Sequence, residues 1–249
     1  EVSRLTGAIG AEIIGGDVRN DADWPEIRQA FIDHAIIVIR AQDISADAHI
    51  FFASRWGQIN ENRFFTPHPD APNIALVLKE ADPPRRLGVC VWHTDHSYGS
   101  ALAMCSILYA RLMCRPMVAN LFHFHKAAPF GLSAPLKTLI NGLSAKHSSC
   151  HVFGEAKASD VVHSMVIKHP LSGRPALYVN PQFTTKILGL SEIESAGLLK
   201  TLLTIACDQT YNAASGMAGV TLPCGTTTRH GTRPTLLDAS HYGRGLRVA

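Results

Sequence analysis

The 249-residue sequence predicts a mainly β fold with flanking helices. Three observations carry that expectation. Short β-branched or apolar runs bounded by turn residues recur along the chain, a hairpin signal lies between 161 and 179, and helical spacing is confined to four stretches. Neither an internal repeat nor a linker composition divides the chain, so 1–249 reads as a single domain whose last part, 209–249, diverges in character.

Leu5 to Gly16 reads as a strand pair around Gly10, and Trp24 to His34 carries helical spacing through Ile27, Ala30, Phe31 and His34. Ala35-Ile36-Ile37-Val38-Ile39 has the length and branching expected of a strand covered on both faces. Ser45 offers its hydroxyl as the cap of a second helix running to Trp56, which Gly57 ends. From Asn60 to Val89, Pro, Asn and Asp predict long loops around one strand at Ile74 to Leu78. Loops are where sites concentrate. Met104 to Leu112 and Met117 to Phe122 predict two strands, and Ser133 to Leu143 a third helix. Val161 to Ile167 and Pro175 to Val179 flank the turn Leu171-Ser172-Gly173-Arg174 and supply the hairpin signal. Ser191 to Cys207 is the clearest amphipathic helix, opened by a capping box of Ser191 and Glu194. After Asp208, Gly, Thr and Ala dominate without periodicity.

Composition excludes several classes. With 46% hydrophobic and 17% charged residues, 19 Gly and 14 Pro, the chain is neither disordered, collagenous nor a coiled coil. A formal charge of +3 is too slight and too scattered for a nucleic-acid footprint. Six cysteines occur without a CxxC pair, which argues against a zinc knuckle and a thioredoxin-like motif. No basic-then-apolar N-terminal signal is visible and no apolar run approaches the roughly 20 residues that span a bilayer, so the expected setting is a reducing cytoplasm, away from membranes. The unusual count is histidine, 13 in all.

Among them, Val91-Trp92-His93-Thr94-Asp95 sets an imidazole and a carboxylate two residues apart. On a strand that spacing puts both on one face. Together with one distant His, they would make the two-His-one-carboxylate set that leaves three adjacent positions open on non-haem Fe(II). By itself HxD is a weak signal.

Trp92-His93-Thr94-Asp95-His96-Ser97-Tyr98 closely resembles the iron motif of the taurine and 2,4-dichlorophenoxyacetate dioxygenase family of Fe(II)/2-oxoglutarate oxygenases. Other segments agree in order. Leu5 to Ile13 resembles the family's N-terminal strand, and Ala53-Ser54-Arg55-Trp56-Gly57 its helix-ending turn. Asn60 to Phe65 is similar to the substrate-pocket loop, and His169 to Asn180, followed by Phe183-Thr184-Thr185, to the "HP.SGR.ALYVN" hairpin. The resemblance covers roughly residues 5 to 208.

It implies a double-stranded β-helix, or jelly roll of the clavaminate synthase-like kind, with helices outside and iron at the mouth of the barrel. It makes His93 and Asp95 the first two iron ligands and the core of the catalytic centre. Fe(II) would act with 2-oxoglutarate and O2 as co-substrates, hydroxylating a small organic substrate while succinate and CO2 leave. Asn62, Phe65, Asn180 and Phe183 fall where family members meet substrate. Family substrates include sulfonates, sulfate esters and phenoxyalkanoates.

The sequence departs from the family at two places. Asn120 stands where the family has the Thr that contacts 2-oxoglutarate, and its amide N–H can still donate to a carboxylate. The closing elements that bring the third ligand and the carboxylate-binding Arg survive only as fragments: Thr226 to His230 points to His230 as distal ligand, and Gly245 to Val248 to Arg247 as anchor. The spacing between them is wider than the family's, which keeps His241 and Arg244 in reserve. His96 reads as a supporting residue, and His123, His125, His147, His151, His163 and His169 as core or surface residues. Two other readings stay open: a catalytically impaired jelly-roll homologue acting as a binding protein, and a zinc hydrolase using the same His and Asp. The substrate and any homo-oligomeric state are left open by the sequence.

Overall fold

The computed structural model describes residues 1–5, 10–60, 64–77, 92–110, 119–123, 131–206, 212–216, 220–222 and 235–239. The N-terminal half runs β1 (Val2–Arg4), β2 (Ala11–Ile13), α1 (Trp24–His34), β3 (Ile37–Ile39), α2 (Ala46–Ser54), β4 (Thr66–His68), β5 (Ala71–Leu76), β6 (Ser106–Ala110) and β7 (Ala119–His123). It continues with α3 (Ala134–Asn141), β8 (Ser144–Ser148), α4 (Cys150–Phe153), a 3-10 turn (Glu155–Lys157), β9 (Asp160–Ser164), β10 (Val166–Lys168), β11 (Pro175–Leu177) and β12 (Thr184–Ile187). Last come α5 (Glu192–Ala206), β13 (Asn212–Gly216), β14 (Val220–Leu222) and β15 (Thr235–Ala239).

Local chemistry sets most of these boundaries. Pro25 opens α1, and Ala35, with φ at 66°, closes it by donating its N–H to Phe31 O. Ser45 caps α2 by accepting from Ala48 N at 3.2 Å. In α5 the capping box closes both ways: Ser191 N donates to Glu194 Oε2 at 2.8 Å, and Glu194 N to Ser191 Oγ at 3.4 Å. Gly10, with φ at 87°, turns β1 back onto β2, and a Cβ there would press on Leu5 at 3.2 Å.

One eight-stranded sheet dominates, in the order β1-β2-β3-β14-β6-β15-β5-β4. The other strands form three short antiparallel sheets: β12-β8-β9, β10-β11 and β13-β7. The tail enters this framework, because β14 pairs with β3 and β6, and β15 lies parallel to both β5 and β6. Those strands were not expected from the aperiodic tail. Nor was β4. The apolar run 161–167 is two strands rather than one: β9 pairs with β8, β10 with β11, and the chain changes sheet at Met165. Met165 is buried where it switches, its N–H donating to Leu143 O and its carbonyl accepting from Tyr178 N.

Each helical pair covers an outer face. Ile27 and Phe31 of α1, with Phe52 of α2, pack on Ala11, Ile13, Ile37, Ile39, Ile74 and Ile107 of the large sheet. Trp56 joins them edge-on, 4.8 Å from the Phe31 ring and 4.7 Å from Trp24. On the other side Ile140 of α3 and Leu199 and Leu202 of α5 bury Ala145, Leu177 and Ile187. The strand alternation then decides what faces inward. In β6, Ile107 and Tyr109 join the helix-covered core, so Ser106 points to the opposite face. His147 of β8 is fully buried, its ring 5.3 Å from that of Tyr178 and 5.4 Å from that of His163. Among the described residues no helix is long and apolar enough to cross a membrane.

Two predictions follow from this packing. Phe31→Ala, which empties the centre of the first core, is expected to cost about 3–5 kcal/mol in urea denaturation. Burial, followed by the neighbouring His163, holds His147 down to about 4 from 6.5. Between those values the unfolded chain binds the proton and the folded chain does not, so His147 makes stability fall as pH drops from 6.5 towards 4, by about 3 kcal/mol in all. Denaturation at pH 7.5 and 4.5 measures this difference, and His147→Gln should shrink it.

Candidate metal centre

His93 and Asp95 lie in an extended segment and the turn after it, not on a paired strand. The expected strand is replaced by a tight reversal, in which Ser97 N donates to Thr94 O and Gly99 N to His96 O. The two side chains still converge: His93 Nε2 stands 3.2 Å from Asp95 Oδ1, with the imidazole almost wholly buried. Asp95 Oδ2 accepts from Ser106 Oγ at 2.5 Å. Burial alone would push the Asp95 carboxyl up, but the hydrogen bond and charge of His93, the Ser106 hydroxyl and the charge of His96 together hold it below its ordinary value.

This donor pair suits a metal ion. Two ligand atoms each about 2.1 Å from one ion and at right angles to each other stand about 3 Å apart. An imidazole nitrogen and an ionised carboxylate are also donors that non-haem iron accepts. Among the described residues no third His, Cys, Asp or Glu joins them. His230 and its reserve His241, Arg247 and its reserve Arg244, and Asn62 all lie outside the described residues. Asn120 lies on β7, opposite Ser215 of β13.

The turn that carries Asp95 is held residue by residue. Ser106 of β6 holds Asp95, and Asn60 Nδ2 donates to His96 Nδ1 at 3.0 Å. Asn180 Nδ2 donates to Ser97 Oγ at 3.0 Å. Ser159 Oγ donates to the Tyr98 carbonyl and His163 Nε2 to the Gly99 carbonyl, each at 3.0 Å. Asn180 also accepts from Phe183 N through Oδ1 at 2.8 Å. Both ends of its amide are thus engaged, one by Ser97 and the other by the backbone of Phe183.

Beside His93 stands a run of aromatic rings. Phe183 meets His93 edge-on at 6.0 Å, Tyr98 meets Phe183 at 4.8 Å, and Phe153 of α4 meets Tyr98 at 5.8 Å. Phe64 stacks on Phe153 at 3.7 Å with 10° between the planes. Of the two adjacent phenylalanines, Phe64 enters this run, while Phe65 is half-buried next to it. Sequence reasoning missed Ser106, Ser159 and Phe153, and named Asn60, Phe64 and Tyr98 only as members of motifs, without a role of their own. The available signal was a serine inside an apolar strand, at the position whose parity opposes Ile107 and Tyr109.

Comparison with known proteins bears on the same region. The family described as "Taurine catabolism dioxygenase TauD, TfdA family" matches residues 1–214. Pentalenolactone F synthase of Streptomyces avermitilis is 27% identical over 238 residues, covering 81% of this chain and 78% of that protein. The (S)-phenoxypropionate/alpha-ketoglutarate-dioxygenase of Sphingobium herbicidovorans is 25% identical over 229 residues, covering 83% and 79%. The crystal structure of a taurine dioxygenase from Burkholderia xenovorans superposes with a TM-score of 0.75 at 24% identity, over 90% of this chain and 80% of that one, a likeness of fold. A strand-rich jelly roll matched over most of its length by that family makes this chain a member of the TauD/TfdA family, an α-ketoglutarate-dependent dioxygenase.

Proposed function

We propose that His93 and Asp95 supply two of three protein ligands to Fe(II), that His230 completes the set, and that Asn120 and Arg247 hold 2-oxoglutarate. The observation that carries this reading is the 3.2 Å approach of a buried imidazole to a carboxylate that a serine fixes from behind. In keeping with it, residues 1–249 form one domain whose divergent 209–249 segment supplies the rest of the site, a reading supported by the entry of β14 and β15 into the large sheet.

Each residue's part follows from its surroundings. Asp95 is ionised before any metal arrives, since His93 and Ser106 stabilise its negative form. His93 is held between that carboxylate and the edge of Phe183, which limits ring rotation. When bound, Fe(II) with 2-oxoglutarate and O2 supplies the family's oxidising chemistry, with succinate and CO2 as co-products. The rings of Phe183, Tyr98, Phe153 and Phe64, mostly set edge to face, line one side of the centre with apolar surface that would keep water from it. That wall suits a small organic substrate with an aromatic or extended apolar body, of the phenoxyalkanoate, sulfate ester or sulfonate kind, with Asn62 and Phe65 at its rim. Among the relatives, one is named for phenoxypropionate and another, from Pseudomonas putida, for sulfate esters.

Anaerobic titration with Fe(II) and 2-oxoglutarate, followed by the visible charge-transfer absorption of the chelate, is the test. The wild-type chain should bind one Fe(II), and His93→Ala or Asp95→Asn should abolish the absorption; its persistence in either variant refutes the ligand assignment. Ser106→Ala leaves both ligands but frees the carboxylate, and is expected to weaken Fe(II) binding about 10-fold in the same titration. Succinate release with a phenoxyalkanoate, an alkyl sulfate and taurine then ranks the three substrate classes.

A further inference from the structure

His96 follows Asp95 directly and has φ at 55°. The left-handed region is one that a bulky side chain enters only when its surroundings impose it, and such residues gather where geometry is held for function. Here the surroundings are specific. His96 is 7% exposed, its Nδ1 accepts from Asn60 Nδ2 at 3.0 Å, and its ring lies 5.4 Å from that of Tyr98. The left-handed step at 96 starts the reversal closed by Gly99 N on His96 O at 2.8 Å. It therefore governs the direction in which the preceding residue, Asp95, projects.

Asn60 matters for a second reason. It opens the segment 60–65 whose Phe64 stacks on Phe153 and stands 5.5 Å from Tyr98. One hydrogen bond thus joins the residue beside the metal-binding carboxylate to the loop that carries part of the aromatic wall.

We propose that His96 is a positioning residue, which aims the Asp95 carboxylate through its left-handed backbone, and that Asn60 is the latch that keeps His96 in that conformation. The inference rests on the reading of Asp95 as a metal ligand. It couples Asn60 to the metal-bearing turn: a shift of Asn60 reaches Asp95 through its hydrogen bond to His96. His96 itself touches neither substrate nor metal in this scheme.

A double-mutant cycle tests it. Asn60→Leu keeps the shape of the side chain and removes the donor; His96→Gly keeps the left-handed backbone and removes the latch's partner. Fe(II) affinity in the presence of 2-oxoglutarate is measured anaerobically for the whole chain and the three variants, with thermal midpoints from the same samples. Asn60→Leu is expected to weaken Fe(II) about 10-fold, the scale on which partners of ligands act. In the His96→Gly background the same change should cost nothing further, since the pair acts as one. Relief at positive φ offsets part of the loss of the buried ring, so the His96→Gly variant should stay folded with a midpoint lowered by only a few degrees, while its Fe(II) affinity falls about 10-fold. Additive losses in the double variant, or an Asn60→Leu affinity within about twofold of wild type, would overturn the latch. Absence of Fe(II) binding by the wild-type chain would instead overturn the ligand reading itself, and the latch with it.

Discussion

The site depends on one constraint: the five residues from Asp95 to Gly99 are each tied down by a side chain from a different part of the chain. Ser106, Asn60, Asn180, Ser159 and His163 come from β6, the end of the second helix-to-strand connection, the segment after β11, the segment before β9, and β9 itself. A single such bond contributes about 1 kcal/mol, no more than thermal adjustment elsewhere can offset. Five of them on consecutive residues fix a backbone that would otherwise choose another turn. The elements that hold the turn are themselves fixed by two apolar cores, so the order of dependence runs from helix packing to strand placement to the direction of one carboxylate.

The division of labour between faces follows from strand geometry. Helices on both outer surfaces take up the apolar sides of the strands, and the alternation along each strand delivers the remaining side chains inward. There polar residues can be retained because they satisfy one another. Tyr178 shows the limit of this arrangement: it is buried, its hydroxyl lies in the field of Asp95, and both effects hold the phenol in its protonated form. The interior is therefore a place where a phenol stays protonated in the field of an ionised carboxylate. That contrast concentrates negative charge at a single point.

Legibility in the sequence followed the range of the determining forces. Features fixed by neighbours along the chain were readable: the first helix from its apolar spacing, the second from Ser45, the last from Ser191 and Glu194, the turn at 171–174 from its composition. Features fixed across the fold were not. β13 and β14 lie in a Gly-, Thr- and Ala-rich tail and are strands because partners such as β7 and β3 await them, a tertiary cause that leaves no period. The switch of sheets at Met165 interrupts an apolar run that looks continuous. HxD was legible as a pair but not as a turn, since the reversal is imposed by partners far away. Phe64 rather than Phe65 enters the ring contacts for a similar reason: which of two adjacent phenylalanines turns inward depends on where Phe153 stands.

The position of β15 between β5 and β6, parallel to both, has a consequence for biosynthesis. Until residues 235–239 leave the ribosome, β5 and β6 have no bridge and each presents an open row of amides and carbonyls to its surroundings. The long-range pairing that finally joins them is of the slow kind, and the waiting intermediate is exposed to association with other nascent chains. Covering those two edges until the distant strand arrives, by a chaperone or otherwise, closes that route to association.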